Sequence, residues 1–453
     1  MAERPFRREE VRAFRFVDCH FDPATGVAEL VYAFDRGAKL VETVTFPGAP
    51  FALEGARGEA VGRALRLLHL VAGVSYYKAA VPPSIAVEGE PIDAATAALL
   101  RLIYTQGLGE FAYRNGLQLQ DRVVFPHAAD AVTARESGLR SQALVAIGGG
   151  KDSLVSIEAL RSLGVEQTVT WIGSSQLIGA CAARTGLDTL NIGRALAPGL
   201  FELNRMGAYN GHIPVTAINS AILVLAALLH GVDQVVFSNE RSASYGSLIP
   251  GTGEVNHQWS KGWEFEQAFG AHVQAHVAAD LHYYSLLRPV SELAVARQFA
   301  RTDRYDAFFS SCNRNFHILG ERPVNRWCGA CPKCHFVFLA LAPFMPKPRL
   351  VGIFGRNLLD DPALAPGFDA LLEYQDHKPF ECVGEGRESR AAMAELAGRP
   401  EWREDALVAR FATEIQPQLG LEAGALAPLL CVDTGEHRIP AVLWERLGAH
   451  LAA

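Results

Sequence analysis

The chain has 453 residues, of which 49% are hydrophobic and 20% charged, with a formal net charge of -7. This is the composition of a soluble globular protein long enough for two or three domains. The charge excludes general affinity for nucleic acid or anionic membranes, although an anionic substrate would need a local basic pocket. The longest apolar run, Ala221 to Leu229, falls far short of the roughly 20 residues of a spanning helix, so no membrane insertion is expected. The charged start MAERPFRREEVRAF carries no apolar secretory stretch, which makes the cytoplasm the expected compartment. Half of the eight cysteines crowd into residues 312–334, a pattern that suits thiols or metal ligands better than disulfides.

Residues 14–46 read as short strands with turns at DPATG and DRGAK. Apolar positions at three- and four-residue steps follow in EAVGRALRLLHLVAGV and DAATAALLRLIYTQGLGEFAYRNG, so residues 1–140 are expected to form an α+β module of their own. From Leu144 short apolar runs alternate with amphipathic ones: LVAI, DSLVSIEALRSLG, QTVTWI, QLIGACAARTG, TLNI, TAINSAILVLAALLHG, QVVF. The alternation predicts an α/β domain over 141–345, a doubly wound parallel sheet with helices on both faces. Its ligand would sit at the carboxyl ends of the strands, where GGGKDS, GSSQ and SNERS lie. A proline-rich linker near Phe344 leads to a mostly helical region, 346–453.

The loop AIGGGKDS is a candidate phosphate cradle. Spacing excludes two familiar versions: Asp152 follows Lys151 where a Walker A loop needs Ser or Thr, and Ser153 stands where a dinucleotide fingerprint needs its last glycine. What remains is a strand, a glycine turn and a helix N-terminus. Backbone N–H groups of Gly148, Gly149 and Gly150 could converge on phosphate oxygens. Lys151 could add charge, Ser153 a hydroxyl and Asp152 a magnesium ligand. The plain alternative is a glycine-rich turn with Asp152 as helix cap.

The loop resembles the SGGxDS motif of the PP-loop ATP pyrophosphatases, with Gly149, Gly150, Asp152 and Ser153 matching and Gly148 replacing the first Ser. The resemblance implies an adenine nucleotide α-hydrolase-like fold that splits ATP into AMP and pyrophosphate. Ser174 and Ser175 would lie at the second strand end near adenine, where serines also serve simple turn chemistry.

Cys312 and the run WCGACPKC, with Cys328, Cys331 and Cys334, offer four thiolates, a set suited to a closed structural zinc site. An iron–sulfur cluster and unrelated buried thiols are the alternatives. The cluster resembles that of 7-cyano-7-deazaguanine synthase, which has a helix and a strand before it, as ELAVARQFARTDRYDAFFSSC would supply.

Across essentially the whole chain, from FRFVDCHFD through GGGKDS, SNERSASYG, NHQWSKGWEFE and WCGACPKC to the helical tail, the sequence resembles the UDP-N-acetyl-α-D-muramoyl-L-alanyl-L-glutamate epimerases. The resemblance implies inversion of the terminal L-Glu of UDP-MurNAc-L-Ala-L-Glu for peptidoglycan, with ATP and Mg2+ as cofactors, release of AMP and pyrophosphate, and a companion ligase that adds L-Glu. Adenylation of the α-carboxylate makes chemical sense, because an acyl-adenylate can delocalise an α-carbanion that a free carboxylate cannot. His257, Lys261 and Glu264 are candidate proton-transfer groups in the polar segment 238–266, with His212 in NGHIP another; Asp152 and Glu240 are further catalytic candidates. Asn239, Arg241 and Ser242 are candidate substrate contacts. Residues 1–140 are expected to help bind the bulky UDP-sugar end. A nitrogen-inserting synthase of the deazaguanine type, or an ATP-binding regulator without catalysis, are the alternative functions.

Overall fold

The alternation of apolar runs and amphipathic helices produces one nine-stranded mixed sheet. The computed structural model describes residues 6–452, apart from 36, 250–252, 316–322, 324, 376 and 420–423. In spatial order the strands are His282–Ser285, Val232–Phe237, Arg140–Ala146, Gln167–Ile172, Thr189–Ala195, Leu40–Thr45, Val27–Phe34, Ala13–Asp22 and Ser84–Val87. The first five are mutually parallel, with Val145 level with Val236 on one side and Val169 on the other.

Period-two alternation splits these strands between two cores. Leu144, Val235 and Tyr283 face one, Ala143, Val145, Val236 and Tyr284 the other. Helix Val215–His230, apolar nearly all round, packs beneath the first face against helix Gly55–Ala72. Helices Lys151–Ser162 and Glu292–Ala300 cover the second face, together with the cysteine helix Pro332–Leu341. Such two-sided cover is what near-continuous apolar strands require.

The strands predicted within 14–46 form, but their sheet continues that of the parallel strands. Leu40–Thr45 pairs antiparallel with Thr189–Ala195, and the joint is pinned by a buried ion pair, Arg194 Nε to Glu42 Oε1 at 2.7 Å. Tyr76 donates to the same carboxylate at 2.9 Å. Periodicity located the strands within 14–46 and four of the parallel ones but not Ser84–Val87 or His282–Ser285, and the edge-to-edge pairing between distant segments leaves no local pattern in sequence. One expectation fails outright: DAFFSSC forms no strand, and residues 304–308 are turns. Instead Ser310 N–H donates to the Gly149 carbonyl at 2.8 Å, tying this segment to the glycine loop. Between 346 and 453 the regular elements among the described residues are all helical, and helix Lys347–Phe354 begins inside the proline-rich linker because prolines suit a first helical turn.

Candidate active site

The glycine loop lies at the carboxyl end of the central strand and opens helix Lys151–Ser162, whose N-cap is Gly150. Gly149 has φ +81°, which favours glycine, and a Cβ at Gly150 would come within 2.6 Å of Ser311 Oγ, so a side chain there would have to displace that hydroxyl. Gly148 differs, because a Cβ there meets nothing within 4 Å. We predict that Gly148→Ser, which restores the family hydroxyl, folds with an unchanged melting temperature; a drop of several degrees would contradict an open position.

The loop's charged residues meet a carboxylate from a distant helix. Asp152, Glu240 and Glu292 place carboxylate oxygens within 4.8 Å of one another. Lys151 is buried and turned inward, with its ammonium on both Asp152 and Glu292. Burial alone would disfavour that ammonium, but the two carboxylates outweigh it and raise its pKa. Burial and the neighbouring Asp152 charge raise Glu240. Glu292 is pushed up to about 7 by burial and by the crowding of Asp152 and Glu240, against the pull of Lys151. A divalent cation would relieve that repulsion, and three carboxylates are the hard oxygen donors Mg2+ prefers.

The other predicted residues divide by environment. Ser153 donates to the Gly150 carbonyl at 3.2 Å. Ser175 caps helix Gln176–Thr185 by accepting from Ile178 N–H at 3.4 Å, which is turn chemistry, while Ser174 is exposed beside it. Asn239 is buried and donates to Ser285 Oγ at 3.0 Å, clasping two strand ends. Ser242 Oγ accepts from the backbone of Glu292 at 3.4 Å. Arg241 reaches a partly exposed Asp433 at 3.4 Å. Glu264, exposed, accepts from Trp259 Nε1 at 2.5 Å. Arg288, which no motif announced, holds the Glu240 carbonyl at 2.8 Å and the Lys261 carbonyl from a buried pair with Glu266.

A second cluster adjoins the carboxylates. His257 hydrogen-bonds Glu110 and Cys382, and its ring centroid lies 4.2 Å from that of His212. Despite burial, hydrogen bonds to Cys382 and Glu110 raise His257 to about 9, while burial and the His257 charge lower His212 to about 4. Raised above its ordinary value near 6.5, His257 stabilises the fold fully below that pH and progressively less as pH rises through 9. The melting-temperature deficit of His257→Gln should therefore be largest near pH 6 and shrink toward pH 9; a deficit growing with pH would contradict the assignment.

Cys312, Cys328, Cys331 and Cys334 come together with all four sulfurs within 4.8 Å of one another, three of the pairs at 3.5, 3.7 and 4.0 Å. A metal with four thiolates at ~2.3 Å has a tetrahedral edge of about 3.8 Å, so the cage fits one ion. Cys331 and Cys334 sit at the N-terminus of helix Pro332–Leu341, where the dipole favours thiolates.

An α/β sheet carrying charged clusters at its carboxyl edge, with a cysteine cage behind the loop, has the architecture of an enzyme. Residues 5–286 match the MurL N-terminal domain and 308–425 the MurL C-terminal domain. The chain is 73% identical over 99% of both chains to the UDP-N-acetyl-alpha-D-muramoyl-L-alanyl-L-glutamate epimerase of Xanthomonas oryzae pv. oryzae. It is 45% identical to the enzyme of the same name from a Micromonospora, over 94% of this chain and 96% of the relative. The corresponding enzyme of Salinispora tropica is 44% identical over 87% of each. The chain belongs to the UDP-N-acetyl-α-D-muramoyl-L-alanyl-L-glutamate epimerase family, a family of isomerases.

Proposed function

We propose that the protein inverts the terminal L-Glu of UDP-MurNAc-L-Ala-L-Glu to D-Glu in peptidoglycan precursor synthesis, using ATP and Mg2+. The observation that carries the substrate is the full-length likeness to enzymes named for that reaction. The α-carboxylate would attack the α-phosphorus of ATP, pyrophosphate would leave, and the acyl-adenylate would lose and regain its α-proton before water hydrolyses it to the carboxylate and AMP. The PP-loop reading of Gly148 to Ser153 rests on the loop's place at a strand end and helix N-terminus. Asp152, Glu240 and Glu292 are the residues that would hold Mg2+, which when bound neutralises charge developing on pyrophosphate. Lys151 then acts on phosphate only indirectly, by keeping those carboxylates placed. The cysteine cage would hold structural Zn2+.

A cavity of about 820 Å³ opens between residues 105–120 of the expected substrate-binding module and the polar segment 254–264, lined by the sequence neighbours of Glu110 and His257. Tyr113, Trp263 and Glu264 line it, offering ring faces for a base and an acceptor for sugar or amide groups. We assign it to the UDP-sugar end of the substrate. Trp263→Ala should raise KM for the dipeptide about tenfold or more while leaving kcat within about threefold; an unchanged KM would place the uridine end elsewhere. The function itself is tested by chiral analysis of glutamate from acid-hydrolysed product: D-Glu is expected, and unchanged L-Glu would contradict it.

A further inference from the structure

We propose that Cys382 is the group that removes, and in the reverse direction returns, the α-proton on one face of the activated glutamate. The proposal rests on the epimerase reading and adds to it a residue from a segment, HKPFECVGEG, in which no motif stands out.

Cys382 is half-buried and sits among cations. Lys261 Nζ donates to its sulfur at 3.3 Å, and His257 hydrogen-bonds it from the other polar cluster. Lys261 also feels the charges of Glu240 and Asp152, while His257 belongs to the cluster with Glu110 and His212, so the thiol is linked to both clusters through these two partners. Further charge comes from Lys333, at the start of the cysteine helix, and from Lys378, whose ammonium donates to the Tyr245 carbonyl at 2.9 Å. Burial opposes ionisation of the thiol, but Lys261, His257 and Lys333 outweigh it and hold Cys382 well below the ordinary thiol range. Outside the cage, burial raises the pKa of Cys181 to about 12 and that of the half-buried Cys19 to about 11, so the effect belongs to the surroundings of Cys382 and not to thiols of this fold.

The neighbours that the sequence singled out thereby acquire a narrower role. Lys261, held protonated by the Cys382 and Glu240 charges, is an ammonium and not a free base. His257 has Nδ1 on Glu110, and its ring is further held charged by Cys382. His212, lowered to about 4, also keeps acceptor capacity but lies against Glu110 at 4.0 Å; the acceptor in contact with Lys261 is the sulfur. In the forward step the thiolate takes the α-hydrogen as a proton, an S–H bond forms as the C–H bond breaks, and the electron pair moves into the adenylate carbonyl as an enolate. A separate Brønsted acid, solvent water included, delivers a proton to the opposite face, the carbonyl re-forms, and the thiol yields its proton to solvent. No oxidant or reductant is consumed. Lys261 and His257 are positioning residues that keep the sulfur ionised.

The test follows two exchanges on the full-length protein with ATP, Mg2+ and UDP-MurNAc-L-Ala-L-Glu. Cys382→Ser and Cys382→Ala should keep dipeptide-dependent ATP–pyrophosphate exchange within about threefold of wild type, yet lose at least 10³-fold in epimerisation and in deuterium entry at the glutamate α-carbon from D2O. Retention of epimerisation within tenfold in both variants would overturn the proposal. So would loss of both exchanges together in protein that melts as the wild type does, because Cys382 would then serve adenylation or binding. If wild type lacked ATP–pyrophosphate exchange but epimerised only with Cys382 present, the adenylation reading would fall and the assignment of Cys382 would stand. Iodoacetamide adds a readout independent of turnover: one thiol outside the cage, mapped by peptide mass to Cys382, should alkylate at pH 6.5 and be protected by the dipeptide. Alkylation at that pH confined to the exposed Cys431 would count against an ionised Cys382.

Discussion

Asp152→Ala is expected to reduce dipeptide-dependent AMP release by on the order of 10³-fold, the cost of removing a group that places charge stabilisation at a transition state. Its fold should survive. Asp152 stands in the first turn of helix Lys151–Ser162 with its side chain 26% exposed, and Lys151 keeps Glu292 as a partner when the aspartate is gone. The loss of one acid at a helix N-terminus costs ~0.3–1 kcal/mol. Against this, the variant relieves the repulsion that Asp152 exerts on Glu240 and Glu292. Asp152→Asn, which keeps shape but not charge, should behave like the alanine variant in turnover. The measurement is AMP formation by chromatography beside a thermal melt; AMP release within tenfold of wild type would mean that the glycine loop is wrongly assigned.

The second large effect concerns the cysteine cage. Purified protein should contain about one zinc per chain, and Cys331→Ser should fail to accumulate as folded protein. Apparent binding energies of structural zinc, ~10–16 kcal/mol in small zinc peptides, equal or exceed the ~5–15 kcal/mol stability of a whole domain. The loss would also travel. Cys312 N–H donates to Ser310 Oγ at 3.1 Å, and the same hydroxyl donates to the Arg326 carbonyl at 2.8 Å. Ser310 N–H in turn holds the Gly149 carbonyl, and Asn313 holds Glu381, the residue before Cys382. The cage therefore braces the glycine loop and the Cys382 segment from behind. Metal analysis and a melt of chelator-treated protein check this; metal-free protein with an unchanged melting curve would contradict it.

What the sequence made legible was local. Apolar runs spaced by amphipathic ones located four of the five parallel strands, missing His282–Ser285, and the glycine loop and CxxC steps sit where their spacing put them. The site's remaining members come from segments that no short pattern joins. Glu292 follows Ser291, which caps its helix by accepting from Ala294 N–H at 3.1 Å, so in sequence it reads as an ordinary first-turn acid. Glu110 lies in a short helix 147 residues before His257 in the chain, and Cys382 follows Pro379 and Phe380 with no metal-like spacing. Lys151 was legible as a cation but not in its direction, because its burial depends on Glu292 arriving from a helix 141 residues on. The meander strands were also visible, yet their antiparallel joint with Thr189–Ala195 depends on the buried pair Glu42–Arg194, which only the folded chain brings together.

The central claim is that activation by adenylation drives inversion at the glutamate α-carbon. The most direct measurement is to incubate the protein with ATP, Mg2+ and UDP-MurNAc-L-Ala-L-Glu in D2O and to analyse nucleotide and glutamate from the same sample. D-Glu carrying an α-deuteron is expected, formed only when ATP is present and accompanied by AMP. ATP-independent inversion, ADP in place of AMP, or D-Glu that retains its original α-hydrogen would contradict it.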